Sequence, residues 1–199
     1  DKARPFVDRY LEREPGEAEG WFLRGDVLNA LGRHEAGASE YAEGLRRARN
    51  PRPEHYLRRA RFLASAPSAD TARVLAALDE GMARLGPVIS LLDYAIHLEI
   101  ERKHYEGALA RIAKAMEFSP RRETWLVRQG DILVKTGRVK DAIASYRAAL
   151  EAIEDLPPRY RETVPIEKLE RAARQSLETL AAAGGGTRSP GESEPSQLR

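Results

Sequence analysis

The sequence contains no cysteine, which excludes disulfides, thiolate metal sites and cysteine nucleophiles while leaving the compartment open. It also lacks an excess of charge of one sign. Lys+Arg total 33 against 31 Asp+Glu, a formal net charge of +2, so no global field calls for nucleic acid or an anionic membrane. No apolar run approaches the roughly 18 to 20 residues of a membrane span, and no hydrophobic signal segment opens the chain. Catalytic signatures are equally scarce. His34, His55, His97 and His104 show no HExxH or similar ligand spacing, and the Gly184 to Gly186 run follows a helical pattern instead of opening one. The serines form no nucleophile elbow. The expectation is a protein that is not an enzyme, with no cofactor and no metal.

What is present is a chain of 199 residues, 42% hydrophobic and 32% charged, enough for a real core in one or two domains. The stretch WFLRGDVLNALGRHEAGASEYAEGL, from Trp21 to Leu45, returns in paraphrase as WLVRQGDILVKTGRVKDAIASYRAAL, from Trp125 to Leu150. Gly25, Ala60, Ala95 and Gly130, small residues inside apolar helical patterns, stand 35 residues apart. Ala3, Gly37, Val74, Ala108 and Ala142 follow with steps of 34, 37, 34 and 34. Tyr41, Leu78, Ile112 and Tyr146 lie four residues beyond the second series, and Leu45, Met82, Met116 and Leu150 eight beyond, so each set traces one helical stripe. A period near 34 with two helices per unit is the signature of an α-solenoid.

These residues carry a family resemblance. Trp21, Gly25, Gly32-Arg33, Gly37, Tyr41, Gly44-Leu45 and Pro51 resemble the tetratricopeptide repeat of bacterial proteins. The order recurs in Gly130, Gly137-Arg138, Ala142, Tyr146 and Ala149-Leu150, and Ala108, Ile112, Ala115-Met116 and Pro120 mark another copy. The resemblance spans residues 1 to 155. It implies an all-α fold, a right-handed α-solenoid of antiparallel helix pairs closed by a C-terminal capping helix.

Helices are predicted over 2–13, 18–31, 35–48, 53–65, 70–85, 88–102, 105–117, 122–136, 139–154 and 163–182. Residues 1–15 read as the second helix of an incomplete leading repeat, so the parent chain is expected to continue upstream of Asp1. Repeat 1 is placed at 16–51, repeat 2, with a longer turn, at 52–87, repeat 3 at 88–120 and repeat 4 at 121–156. A capping helix follows at 159–183 and a disordered tail at 184–199. Pro67 is expected to stop one helix, and Ser68 or Asp70 to cap the next. Trp125 precedes Gly130 by one residue more than Trp21 precedes Gly25, which rotates it about 100° and offers the core slot to Leu126. Gly37 and Gly44 cost about 1 kcal/mol each in helix propensity, which tight helix crossing would offset.

The resemblance also implies a function, a module that binds a protein or peptide partner. In tetratricopeptide arrays the first helix of each pair lines a concave groove, with an exposed row at −3, +1 and +4 from the small contact residue. Carried over, the row is Phe22, Asp26 and Asn29; Leu57, Arg61 and Ala64; Leu92, Ile96 and Glu99; and Val127, Asp131 and Val134. Such a lining suits an extended peptide or an amphipathic helix. Asp26 and Asp131 either set its register or are solvated or paired with Arg24 and Arg128. The alternative is a structural spacer or assembly subunit that contacts neighbours through its ends or convex face. Arg46, Arg47, Arg49, Arg52, Arg58, Arg59 and Arg61 form a basic cluster. Two of them end a helix, where cations complement the macrodipole, and arginine outnumbers lysine 27 to 6 throughout, so nucleic acid is not expected. The segment Pro51 to Lys103 is similar to bacterial tetratricopeptide proteins that carry secretory signals, which favours a periplasmic or secreted location. Partner, pathway and oligomeric state are not encoded legibly.

Overall fold

The computed structural model describes residues 3–185. The expected tail falls outside them except at Gly184 and Gly185, which extend the last helix instead. The described residues form helices without strands: α1 (Arg4–Arg13), α2 (Ala18–Ala30), α3 (His34–Arg47), α4 (Pro53–Ser65), α5 (Thr71–Leu85), α6 (Ile89–Glu101), α7 (Tyr105–Phe118), α8 (Glu123–Lys135), α9 (Val139–Glu154), α10 (Pro158–Arg161) and α11 (Val164–Gly185). The bounds follow the expected ones closely. The one-turn α10, absent from the sequence reading, begins on Pro158, whose fixed φ suits a first helical position.

Two compact units divide the chain, Asp1–Ser119 and Pro120–Arg199. In the first, α1 packs on α2, and from α2 to α7 each helix packs on the next, with α4 also touching α6. The result is a helical-repeat array whose core holds Tyr41, Tyr56, Leu78, Leu91, Leu92, Ile96 and Ile112, all with almost no exposed surface. In the second unit α8 pairs with α9, and α11 packs against both around Ile132, Tyr146, Ile153 and Ala173. Fully burying one such aliphatic side chain stabilises the fold by about 1.5–3 kcal/mol, whereas the propensity spread among ordinary helix formers is below about 1 kcal/mol. Packing of the stripes therefore dominates.

Small residues set how closely the helices cross. A Cβ on Gly25 would lie 2.5 Å from the Tyr41 ring and 2.9 Å from the Gly37 carbonyl oxygen, and one on Gly37 would lie 2.8 Å from the Gly25 oxygen. Only glycine at both positions permits this α2–α3 approach. Gly130 repeats the arrangement in the second unit, with Tyr146 at 2.6 Å from its Cβ position. Turns between paired helices use the left-handed region at Gly32 (φ 75°) and Gly137 (φ 74°), and Lys103 (φ 58°) occupies it between α6 and α7. In the longer turn Asp70, not Ser68, caps α5, its carboxylate accepting from the Ala72 N–H at 2.9 Å. Ser68 instead donates to Glu35. One core expectation is overturned: Trp125 is 6% exposed and Leu126 only half-buried, so the larger ring, with more apolar area to bury, takes the slot given to leucine.

Candidate functional site

The face singled out from the sequence is carried by α2, α4 and α6 in the first unit and by α8 in the second. Several of its expected exposed residues are buried. Phe22 is 4% exposed, Leu92 and Ile96 0%, and Val127 6%. The reason is visible at Phe22, whose ring lies over Gly44, 2.6 Å from where a Cβ would stand, and stacks on His55 with centroids 4.0 Å apart. Position −3 is thus a core slot on α2, α6 and α8, and on α4 Leu57 there is half-buried. The signal that could have shown this was Gly44 itself, since a glycine inside a helix marks room for a neighbour's ring.

The polar members of the row other than Arg61 are committed to partners inside the chain. Tyr41 donates to Asp26 at 2.8 Å, and Arg58 of α4 donates to the other Asp26 oxygen at 2.6 Å and to the Tyr41 oxygen at 3.2 Å. Burial, opposed by Arg58 and reinforced by Asp26, pushes the Tyr41 phenol up to about 12. It is a proton donor at neutral pH, not a nucleophile. Tyr146 likewise donates to Asp131 at 2.7 Å, and burial followed by that bond pushes it up to about 12. Neither aspartate pairs with the adjacent arginine considered from the sequence. Arg24 bonds Glu40 and lies over Trp21, and Arg128 lies over the Trp125 ring.

Asn29 and Glu99 each meet a histidine five residues on, His34 at 2.7 Å and His104 at 2.9 Å. Glu99, only 4% exposed, also accepts from Arg102 at 2.6 Å and from Arg111 at 3.4 Å, while Arg111 grips Asp79 through both carboxylate oxygens. Burial works to raise the Glu99 carboxyl, but the bonds from His104, Arg102 and Arg111 hold it below the usual range. These contacts turn Glu99 into a buried acceptor that ties α6 to α7. It does not line a groove.

The arginine cluster separates in the same way. Arg46 and Arg47 pair with Glu43, Arg58 with Asp26 and Arg59 with Glu80. Such partly exposed pairs contribute about 0–1 kcal/mol each, so they neutralise part of the patch more than they hold the fold, while Arg49 and Arg52 stay exposed with no carboxylate partner among the described residues. Arg61 remains on α4, exposed and paired with no carboxylate among the described residues, close enough to bias the half-buried Tyr94 of α6. Beside Tyr94 opens a cleft of about 300 Å³ lined by Ala64, Val74, His97 and Leu98. Among the described residues no group of three or more His, Asp or Glu side chains is arranged to hold a metal, and no helix is long and apolar enough to cross a membrane.

A protein-family model described as tetratricopeptide repeat matches residues 1–53 and 96–157. No curated protein matches the chain. Among solved structures, the crystal structure of MamA aligns with a TM-score of 0.57 at 14% identity over 74% of this chain and 85% of that one. A second MamA structure, from AMB-1, gives 0.51 at 16% identity over 85% and 86%. BtubC (BKLC) from P. vanneervenii gives 0.50 at 16% identity over 100% and 94%. At these identities the likeness concerns the fold alone.

Proposed function

The chain belongs to the tetratricopeptide repeat family, and on that premise we propose that it is a non-catalytic module that binds a peptide or helix of a partner protein on the α2–α4–α6 face of its first unit. The family fold supports a protein-interaction module. The observation that supports this face is Arg61. Its helix neighbours Arg58 and Arg59 are held by carboxylates, whereas Arg61 stands exposed without one among the described residues, beside the partly exposed Leu57. An apolar contact next to an unneutralised cation suits a segment that alternates an aliphatic anchor with an acidic residue. Asp26 and Asn29, half-buried, would border it.

Substituting Leu57→Ser with Arg61→Glu tests the reading. Both side chains reach solvent, so the unfolding free energy should change by only about 1 kcal/mol or less. Capture of the partner retained by the parent protein should fall about tenfold or more. Undiminished capture by a folded double variant would remove the face from consideration.

A second reading has its own observation. On α1, Phe6 is 67% and Tyr10 42% exposed, an apolar surface suited to assembly through the end of the unit. Phe6→Ser with Tyr10→Ser would then change the sedimentation coefficient while leaving partner capture intact.

A further inference from the structure

The two units contain the same three-part arrangement with one part exchanged. In the first, a glycine admits the Tyr41 ring, the phenol donates to one oxygen of Asp26, and the guanidinium of Arg58 donates to the other. In the second, Gly130 admits Tyr146 and the phenol donates to Oδ1 of Asp131, with the same separation of 15 residues between partners. The third element differs. Where α4 supplies Arg58, α11 supplies Ser176, which meets the Tyr146 phenol and carries no charge. Asp131 is exposed and pairs with no cation among the described residues, although its twin is paired.

The vacated position is open to solvent. Asp131, Val134, Lys135, Tyr146, Gln175, Ser176, Thr179 and Leu180 surround a cleft of about 470 Å³ between α8 and α11. Its wall combines the carboxylate with aliphatic surface from Val134 and Leu180, as an arginine requires for head and stem. We propose that this cleft is a seat for an arginine side chain of a protein partner, with the guanidinium on Oδ2 of Asp131 as Arg58 sits on Oδ2 of Asp26. The inference extends the protein-binding reading to the second unit and names the residue recognised there. Lys135, exposed one turn along α8 and not paired with Asp131, opposes the incoming cation and limits its affinity.

Titration of ¹⁵N-labelled protein with N-acetyl-arginine-amide, with N-acetyl-citrulline-amide as neutral isostere, tests the seat. The arginine probe should move the amides of Asp131, Val134, Ser176 and Thr179, and citrulline should not. Asp131→Asn, which keeps an acceptor for Tyr146, should weaken the response about threefold or more. Ser176→Arg should abolish it by filling the seat from within. Arg58→Ser, at an exposed position, should create a new response around Asp26. Equal shifts from both probes, or a response that persists in Ser176→Arg, overturns the proposal. If partner capture depends on Leu57 and Arg61 but the arginine probe leaves the cleft unmoved, the seat fails and the first-unit face stands. If the probe binds as described and capture ignores Leu57 and Arg61, the reverse holds.

Discussion

Gly25 shows how one missing methyl group decides a helix crossing. Alanine there would gain about 1 kcal/mol in helix propensity, but its Cβ would stand 2.5 Å from the Tyr41 ring and 2.9 Å from the Gly37 oxygen. Overpacking against backbone costs about 1–3 kcal/mol, so Gly25→Ala is expected to destabilise on balance, as a lower urea midpoint would show. A raised midpoint would mean that α2 and α3 can separate cheaply. The periodicity of Gly25, Gly37 and Tyr41 made this contact legible in the sequence. The polar bonds were less so. Asp26 and Asp131 stood out as charges on an expected groove, and nothing in one repeat says that a tyrosine from the next helix reaches them. Only the recurrence of an aspartate and a tyrosine 15 residues apart, in both units, carries that information.

Among the elements, the turns α2–α3, α6–α7 and α8–α9 each place one residue in the left-handed region, and in α6–α7 that residue is not glycine. Gly32 and Gly137 adopt positive φ without strain, whereas Lys103 does so with a side chain, at a cost of about 1–2 kcal/mol. Glycine adds about 0.5–1 kcal/mol of unfolded-state entropy, so Lys103→Gly should stabilise the first unit by up to about 1 kcal/mol. Gly32→Ala should destabilise it by a similar amount. Calorimetric midpoints that moved the other way would show that these turns do not hold the helices in place. Helix positions were readable because stripes repeat over many residues. Which face of a helix is covered was not, because the expected row followed the resemblance and ignored ring size. Phe22 turns inward over Gly44, and Ile96 is fully buried at a position expected to be open. α10 escaped notice because a single turn has no periodicity to read.

For the molecule as a whole, charge and burial define a pH range. His55 sits below its ordinary value because burial and then nearby Arg52 disfavour its charged form, and its Nδ1 accepts from the Arg52 N–H. Its contribution is complete above the ordinary pKa of 6.5 and is lost as pH falls through the depressed folded value. Glu99, also depressed, adds a loss below 4.5. Tyr41 and Tyr146, raised from 10 to about 12, contribute below pH 10 and lose that contribution as pH rises through 12. Stability should therefore be greatest between these limits, and His55→Asn should flatten the fall of the urea midpoint between pH 7 and 5. An unaltered slope would place the acid sensitivity elsewhere.

Binding by the α2–α4–α6 face is the central claim, and site-specific photo-crosslinking tests it most directly. A benzophenone side chain is placed at Leu57 or Arg61 on that face, or at the exposed Ala113 on α7 as a control. In extract of the source cell, adducts of one partner should form from Leu57 and Arg61, not from Ala113, and should disappear when unlabelled parent protein competes. Competable adducts that arise from Ala113 while Leu57 and Arg61 remain silent would contradict it.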